Sequence, residues 1–369
     1  MRDHRPASAA ARDEQSAQTK IALGAMLVPL FFVIMFATCI IGTYHKPSPN
    51  GIKVGVVGPV GETQLLRTGI QRAGGSAFDI RSVASLADAV REVSHRNLNA
   101  AFVPSAGGTE PGTVVVASAA GRLVAATAET LARTVTAAQG EQLVVRDVSP
   151  LPAGDEIGLG IFMFVVVLTI CGYLAPTILG TVTPALGASR RYAIIAANAV
   201  LISSLAYLIA GLGYGTYTGS FGTIVAFIGV GALYAFAIGL GTRLFQVVLG
   251  PSAGLFASLT IFVFLNVPSL GATYTATMLS PFWRLLNRFW IGAGTVNAAR
   301  SILYFQGHGV DADVLRLLAW TGGIVALLAL VSWRLGSGRE DPSGAVGKTL
   351  PPQHFLEHRE ALSVQPGDR

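Results

Sequence analysis

Two short stretches of this chain have the residue types of a phosphate-binding loop. Residues 347–349 read Gly-Lys-Thr, like the end of a Walker A loop, but Pro342 stands where that loop requires its first glycine. Three glycines also lie in and after the apolar run 52–57, at Gly55, Gly58 and Gly61. Their spacing is not G-x-G-x-x-G, and Pro59 removes one N–H donor from the turn. We therefore expect no nucleotide site and no cofactor in this chain.

The other reactive side chains are scattered rather than grouped. His45 and His95 have no cysteine or carboxylate at the spacing of metal ligands. Cys39 and Cys171 lie in separate apolar runs at depths that do not match, so we expect two free buried thiols and no disulfide. No Ser-His-Asp set or carboxylate pair stands out. The sequence therefore predicts neither a metal site nor an enzyme.

The net charge of +6 does not indicate nucleic-acid binding. Segment 46–156, the long polar stretch of the chain, holds ten basic and ten acidic residues. A neutral segment lacks the basic surface that a phosphate backbone requires. With 51% hydrophobic and only 12% charged residues, the chain instead has the composition of a membrane protein.

Six apolar runs organise the chain. Each has roughly 20 residues, enough for a helix through a hydrocarbon core about 30 Å thick. The runs cover residues 21–42, 157–180, 192–214, 221–242, 244–266 and 314–335. The sequence therefore predicts a polytopic α-helical membrane protein with six transmembrane helices in a one-plus-five arrangement. The run 21–42 is too long for the core of a cleaved signal peptide, so we interpret it as an uncleaved anchor.

Basic residues set the predicted orientation, because short cytoplasmic loops carry an excess of Lys and Arg. They occur in both tails and in two connections: residues 1–20, 181–191, 243 and 336–369. The connection 215–220 has no charge. We therefore predict a multi-pass protein of the cell membrane with both termini cytoplasmic and segment 46–156 outside. The C-terminal tail 336–369, rich in Pro, Gly and charge, is expected to be disordered.

Segment 46–156 has the pattern of a small extracytoplasmic α/β domain. We expect strands at 52–57, 78–83, 100–104, 113–117 and 142–148. We expect one helical stretch after the first strand that ends near Arg72, and two further helices at 85–96 and 122–138. In the helix 85–96, Ser85 is a natural N-cap, with Asp88 three residues later. Strands that alternate with helices predict a mainly parallel sheet. No residue here indicates chemistry, so we interpret the domain as a binding module, a docking module or a rigid cap.

The predicted five-helix membrane domain, residues 157–335, is poor in ionisable groups. Its first four spans, residues 157–266, contain no Asp, Glu, Lys or His. Carriers coupled to protons or sodium bury such groups to hold the coupling ion, so this composition argues against a secondary transporter. It also argues against an intramembrane protease or a redox protein. Glycine pairs instead indicate close packing between helices, at 211/213, 229/231 and 239/241.

The loop 267–313 contains an amphipathic helix at 281–290. Apolar residues recur at i, i+4, i+7 and i+8 from Phe282, and two arginines lie one turn apart on another face. Residues 291–305 are apolar but too short to span. We predict an interfacial and re-entrant segment at 281–305 on the outer side; a plain surface helix is the alternative. Its residues of interest are Phe282, Trp283, Arg284, Arg288, Trp290 and Arg300.

Four short stretches give the chain a resemblance to a known family. They are 147–155 (Asp-Val-Ser-Pro-Leu-Pro-Ala-Gly-Asp), 266–269 (Asn-Val-Pro-Ser), 281–283 (Pro-Phe-Trp) and 299–305 (Ala-Arg-Ser-Ile-Leu-Tyr-Phe). With the order of the spans, they make the chain resemble membrane subunits of type-2 ABC exporters. The similarity is greatest to the YhgE/Pip-like, phage-infection-protein branch of actinobacteria. It covers nearly the whole chain, although the outer domain here is shorter than in some relatives.

The resemblance implies a permease that forms a homodimer or heterodimer, contacts membrane lipids and takes its energy from a separate ABC ATPase subunit. It implies an amphipathic cargo: a lipid, a glycan-lipid, a drug or a peptide. The connection 181–191 then corresponds to a coupling helix that docks the ATPase, with Pro184 in its first turn and Arg190 and Arg191 at its carboxyl end. Two alternatives stay open. The two arginines can act only as topology signals, and the protein can be a non-transporting scaffold, such as a secretion accessory or phage-receptor-like protein.

Overall fold

A computed structural model describes residues 7–47, 49–58, 61, 63, 64, 67, 68, 75–105 and 111–337. Within these ranges the protein is mostly helical and has one small sheet. The tail predicted to be disordered lies outside the described residues beyond Ser337, together with its Gly-Lys-Thr sequence. Most of the helical stretch predicted to end near Arg72 also lies outside them.

Within the described part of the chain, six helices are long and apolar enough to cross a membrane. They are Glu14–Tyr44, Gly160–Val182, Ala188–Gly213, Phe221–Leu249, Pro251–Ser269 and Val310–Arg334. Each overlaps one of the apolar runs in the sequence. The predicted number and order of apolar helices are therefore confirmed. The predicted connection at Arg243 was wrong, because the fourth helix continues through this residue to Leu249 and the fifth begins at Pro251, after Gly250.

The helices follow one another in a simple order along the chain. They are α1 (Ala7–Ala25), α2 (Leu27–Met35), α3 (Gly42–Tyr44), α4 (Leu86–Ser94), α5 (Arg122–Gln139), α6 (Gly160–Val182), α7 (Ala188–Tyr207), α8 (Phe221–Leu249), α9 (Pro251–Leu259), α10 (Asn266–Ser269), α11 (Pro281–Phe289), α12 (Ile291–Tyr304) and α13 (Val310–Ser337). Wider π-helical turns at Phe36–Ile41, Leu208–Gly213 and Thr260–Leu265 continue three of the spans. The chain divides into two units, residues 1–326 and residues 327–369, and the described part of the second, residues 327–337, is helical.

Five strands form the sheet: β1 (Ile52–Val57), β2 (Phe78–Val83), β3 (Ala100–Val103), β4 (Gly112–Val116) and β5 (Leu143–Asp147). Their order across the sheet is β2-β1-β3-β4-β5. The pairs β1–β2, β1–β3 and β4–β5 are parallel, and β3–β4 is antiparallel. The prediction of a mainly parallel sheet is confirmed. We call residues 46–156 the sheet domain.

The sheet domain has the local structure that its sequence predicts. Ser85 caps α4, because its hydroxyl accepts a hydrogen bond from the Asp88 N–H at 3.1 Å. The same hydroxyl donates to the Asp88 carboxylate and lowers the pKa of that carboxyl. Gly55 lies inside β1, where a β-carbon would stand 2.7 Å from a methyl carbon of Leu98. Gly55 is therefore a packing glycine and not part of a phosphate loop.

Close helix packing at glycine is present along α8, as the sequence predicts. A β-carbon on Gly231 would lie 2.5 Å from the Ser203 hydroxyl and 2.7 Å from the Phe164 ring. Gly229 lies two residues earlier on the same helix, and a β-carbon there would have no neighbouring atom within 4 Å. Only one member of this glycine pair therefore lets neighbouring helices approach.

Candidate functional site

The segment predicted to be interfacial and re-entrant forms two consecutive helices. Helix α11 ends at Phe289, and Trp290 takes an extended backbone conformation before α12 begins. Helix α12 has 14 residues. At about 1.5 Å per residue it is too short to cross a hydrocarbon core of about 30 Å. The two-helix pair is therefore present, while its depth in a membrane stays a prediction.

The predicted apolar stripe of α11 does not lie on one face. Leu286 and Trp290 are buried, whereas Phe282 and Phe289 are exposed. Trp283, next to the expected stripe, is buried instead. The physical reason is that the protein packs against the side of α11 that carries Trp283 and Leu286, so Phe282 and Phe289 stay exposed on another side. The stripe prediction was wrong in this respect.

A chain of buried hydrogen bonds fixes the amino end of α12. The Asn266 amide donates to the Tyr234 hydroxyl at 2.6 Å, and its oxygen accepts from the Gly292 N–H at 3.1 Å. The Tyr234 hydroxyl is also 2.6 Å from the hydroxyl of Thr169, which donates to a carbonyl of its own helix. Tyr234 is therefore the donor to Thr169. The chain joins α6, α8 and α10 to the first turn of α12, whose N–H groups need such acceptors.

Arg300 fixes the carboxyl half of α12. It is 5% exposed, and its guanidinium donates to the carbonyl oxygens of Gly271 and Ala272. These carbonyls belong to the loop between α10 and α11, so the arginine joins the loop to the second helix of the pair. Hydrogen bonds from a charged donor are among the stronger ones in proteins. Arg300 is thus a structural cation inside the protein, which explains how the loop tolerates it.

The sheet domain contacts the same helix through Arg96. This residue has a left-handed backbone, with φ at 65°, which directs it from the end of α4. Its guanidinium donates to the Asn297 backbone and side-chain oxygens at 3.2 and 3.1 Å and to the Ser301 hydroxyl at 2.6 Å. It also lies over the ring of Phe305, 5.5 Å from the centroid. Burial lowers the pKa of Arg96.

The start of the second span is held by Asp155. Its carboxylate accepts hydrogen bonds from the N–H groups of Leu159 and Gly160 at 2.8 and 3.0 Å. An acid at the amino end of a helix is favoured by the helix dipole. Burial nevertheless raises the pKa of the Asp155 carboxyl. Tyr217 adds a second tie, since its hydroxyl donates to the Gly160 carbonyl at 2.7 Å.

The other two arginines of the segment differ from Arg300 and from each other. Arg284 donates to the carbonyls of Ala276 and Leu279 at 3.2 and 2.7 Å, which stabilises the turn before α11. Arg288 is exposed on α11. The structure therefore uses Arg284 and Arg300 to hold the loop and leaves Arg288 at the surface.

The connection after α6 does not form the predicted coupling helix. Pro184 lies in a turn, and α7 begins at Ala188, so Arg190 and Arg191 occupy its amino end and not a carboxyl end. Arg191 is buried, and its guanidinium donates to the carbonyls of Thr183 and Pro184 at 3.0 and 3.2 Å. These bonds offset the unfavourable position of a cation at a helix amino end. Arg190 is exposed.

Sequence reasoning missed the polar residues that hold the helical pair. Thr169 and Tyr234 stand alone in apolar runs, and a single hydroxyl in such a run carries no signal of its partner. Arg96 ends the predicted helix 85–96, and nothing in the sequence indicates its partners on α12. Asn266 and Asp155 had a usable signal, because both lie in the stretches that carry the family resemblance. Cys39 and Cys171 are free thiols.

Comparisons of the chain with protein-family models, curated proteins and solved structures find no match. Helix α12 is held at its amino end by three membrane-type helices and along its carboxyl half by the sheet domain. Such an element can transmit a movement of the sheet domain to the helices, or the reverse.

Proposed function

We propose that this protein is the integral membrane subunit of an exporter, driven by a separate ATPase subunit. The observation that carries the proposal is the order of the elements: one apolar helix, the sheet domain, four apolar helices, the pair α11–α12 and a last apolar helix. This order supports a permease of the type-2 exporter class, in which the chain itself neither binds nor hydrolyses ATP. The cargo is an amphipathic or lipid-like molecule.

Under this proposal the two faces of the membrane have different tasks. The sheet domain and the pair α11–α12 lie outside, and the connection between α6 and α7 lies in the cytoplasm with both termini. The clamp of α12 between Arg96 and Asn266 couples the sheet domain to the spans. Two copies, identical or related, form the transport path between them.

A non-transporting scaffold is the second candidate function. One observation favours it: the polar groups inside the helical part bind one another, as in the chain from Asn266 to Thr169, and do not line an open path. A secretion accessory or a phage-receptor-like protein needs only a stable membrane anchor and an exposed domain. The two functions differ in the partner that they require.

Copurification distinguishes the two functions. The full-length chain, tagged and extracted from its own membrane in a mild detergent, should retain an ABC ATPase in a near-stoichiometric amount. A matched tagged protein with six spans and no such role controls for adventitious capture. Recovery of secretion components without any ATPase would support the scaffold and contradict the exporter.

The connection between α6 and α7 allows a test in which its two arginines are changed one at a time. Arg190→Gln changes an exposed side chain, so we expect normal yield and, if this residue docks the ATPase, at least a severalfold loss of copurified ATPase. Arg191→Gln removes hydrogen bonds to two carbonyls, so we expect the free energy of unfolding to fall by about 1–3 kcal/mol. The yield of folded protein should fall with it. Yield and partner content, measured together by gel filtration, separate the effects. Full ATPase content in the Arg190 variant would eliminate its docking role.

A further inference from the structure

A small cleft lies where the sheet domain meets the start of the second span. Its lining includes the buried residues Arg300, Asp155 and Gly121, the half-buried Tyr304, and the exposed Arg122 and Ile157. Ile157 is 72% exposed just before the span begins at Gly160. An exposed apolar side chain beside charged groups gives the cleft an amphipathic character. Under the proposed membrane arrangement, the cleft beside the first turn of this span would lie at the level of the lipid headgroups.

The charges of the cleft favour an anion. Arg300 and Arg122 contribute two cations, and among the described residues no carboxylate forms an ion pair with either. The one acid at the cleft, Asp155, is already engaged by N–H groups at the amino end of α6. The amino end of α5 also borders the cleft, and its N-cap is Gly121, which offers no side chain to the N–H groups of the first turn.

One group in the cleft has no partner inside the protein. The hydroxyl of Tyr304 is buried and forms no hydrogen bond among the described residues. A buried hydroxyl left without a partner is costly, and such groups are rarely orphaned in folded proteins. This hydroxyl lines the same cleft as the two arginines, so a ligand that accepts hydrogen bonds would satisfy it beside two positive charges, of which Arg300 already donates to the carbonyls of Gly271 and Ala272.

We propose that this cleft binds a phosphate group, with Arg122, Arg300 and the Tyr304 hydroxyl as donors. The phosphate can belong to an anionic phospholipid, whose chains would lie along Ile157 and the second span, or it can be a free anion. The site is independent of any exporter role, since a scaffold in the same membrane would hold the same ligand. Its function would be to fix the sheet domain against the start of the second span.

The test compares three variants of the full-length protein in nanodiscs of phosphatidylcholine. Arg122→Gln removes one exposed donor, and Tyr304→Phe removes only the orphan hydroxyl. Arg133→Gln, on the exposed side of the same helix α5, is the matched control for loss of a positive charge. Bound phosphatidylglycerol is counted by native mass spectrometry across a titration, and inorganic phosphate is tested separately by its effect on the melting temperature.

We expect phosphatidylglycerol to bind the unmodified protein and the Arg133 variant equally, and to bind the Arg122 and Tyr304 variants roughly tenfold more weakly. Stabilisation by inorganic phosphate, lost in the same two variants, would identify a free anion as the ligand. Equal lipid binding by all four proteins, with no effect of phosphate, would overturn the proposal. So would an equal loss in the Arg133 variant, because that result indicates attraction to charge alone.

Tyr304→Phe gives a second readout. If the cleft holds no ligand, removal of an unpartnered buried hydroxyl should leave stability unchanged or raise it, whichever lipid is present. If the hydroxyl binds phosphate, the variant should lose the increase in melting temperature that phosphatidylglycerol gives to the unmodified protein. A variant that keeps the whole increase would contradict the assignment of this donor.

Discussion

Arg300→Ala should destabilise the protein by about 3 kcal/mol. The substitution removes two charge-assisted hydrogen bonds and leaves the carbonyls of Gly271 and Ala272 without their donor in a buried place. The loop between α10 and α11 then loses its tie to α12. The measurement is the melting temperature in detergent, together with the fraction of protein that elutes as a single species from gel filtration.

Arg288→Ala is the matched control for this experiment. It removes the same charge from the neighbouring helix α11, where the side chain is exposed. We expect a change of less than about 0.5 kcal/mol. Equal melting temperatures for the two variants would show that Arg300 does not hold the loop between α10 and α11 against α12.

Gly231→Leu should prevent the helices from packing, whereas Gly229→Leu on the same helix should be tolerated. At Gly231 the new β-carbon would meet the Ser203 hydroxyl at 2.5 Å and the ring of Phe164 at 2.7 Å. The ring belongs to α6 and the hydroxyl to α7, so two helices must move. At Gly229 the side chain enters open space. We expect a loss of about 3 kcal/mol or more in the first variant and little change in the second.

The readout is the yield of monodisperse protein after extraction and its resistance to heating. Because both variants add the same side chain two residues apart, insertion into the membrane should be equally efficient. A Gly231→Leu variant with normal yield and heat resistance would mean that α6 and α7 do not approach α8 as closely as in the structure.

The sequence was sufficient for the elements and insufficient for their contacts. Length and apolar composition predict the six long helices, and alternation of strands and helices predicts the sheet, because both patterns are local. The β3–β4 pair is antiparallel, a detail that local pattern cannot give. The end of α11 at Phe289 also depends on a single backbone angle at Trp290. The side of α11 that is buried is likewise set by tertiary contacts, which cover Leu286 and leave Phe282 and Phe289 exposed.

The connection after α6 shows the same limit at a predicted site. Pro184 followed by two arginines has the composition of a short helix with a basic end. In the structure these residues form the turn between α6 and α7 and the start of α7, and Arg191 donates hydrogen bonds to the carbonyls of Thr183 and Pro184 in the turn. A pair of adjacent arginines thus contains one structural and one exposed residue, and only the three-dimensional contacts distinguish them.

An exporter of the proposed kind requires the sheet domain and the connection before α7 to lie on opposite sides of one membrane. Single cysteines at Ser76 in the sheet domain and at Ser189 in the first turn of α7, both exposed, test this in a background that lacks Cys39 and Cys171. In intact cells an impermeant maleimide should label position 76, and position 189 should react only after the membrane is opened. Labelling of both positions in intact cells, or of position 189 alone, would contradict the proposed arrangement and, with it, the exporter.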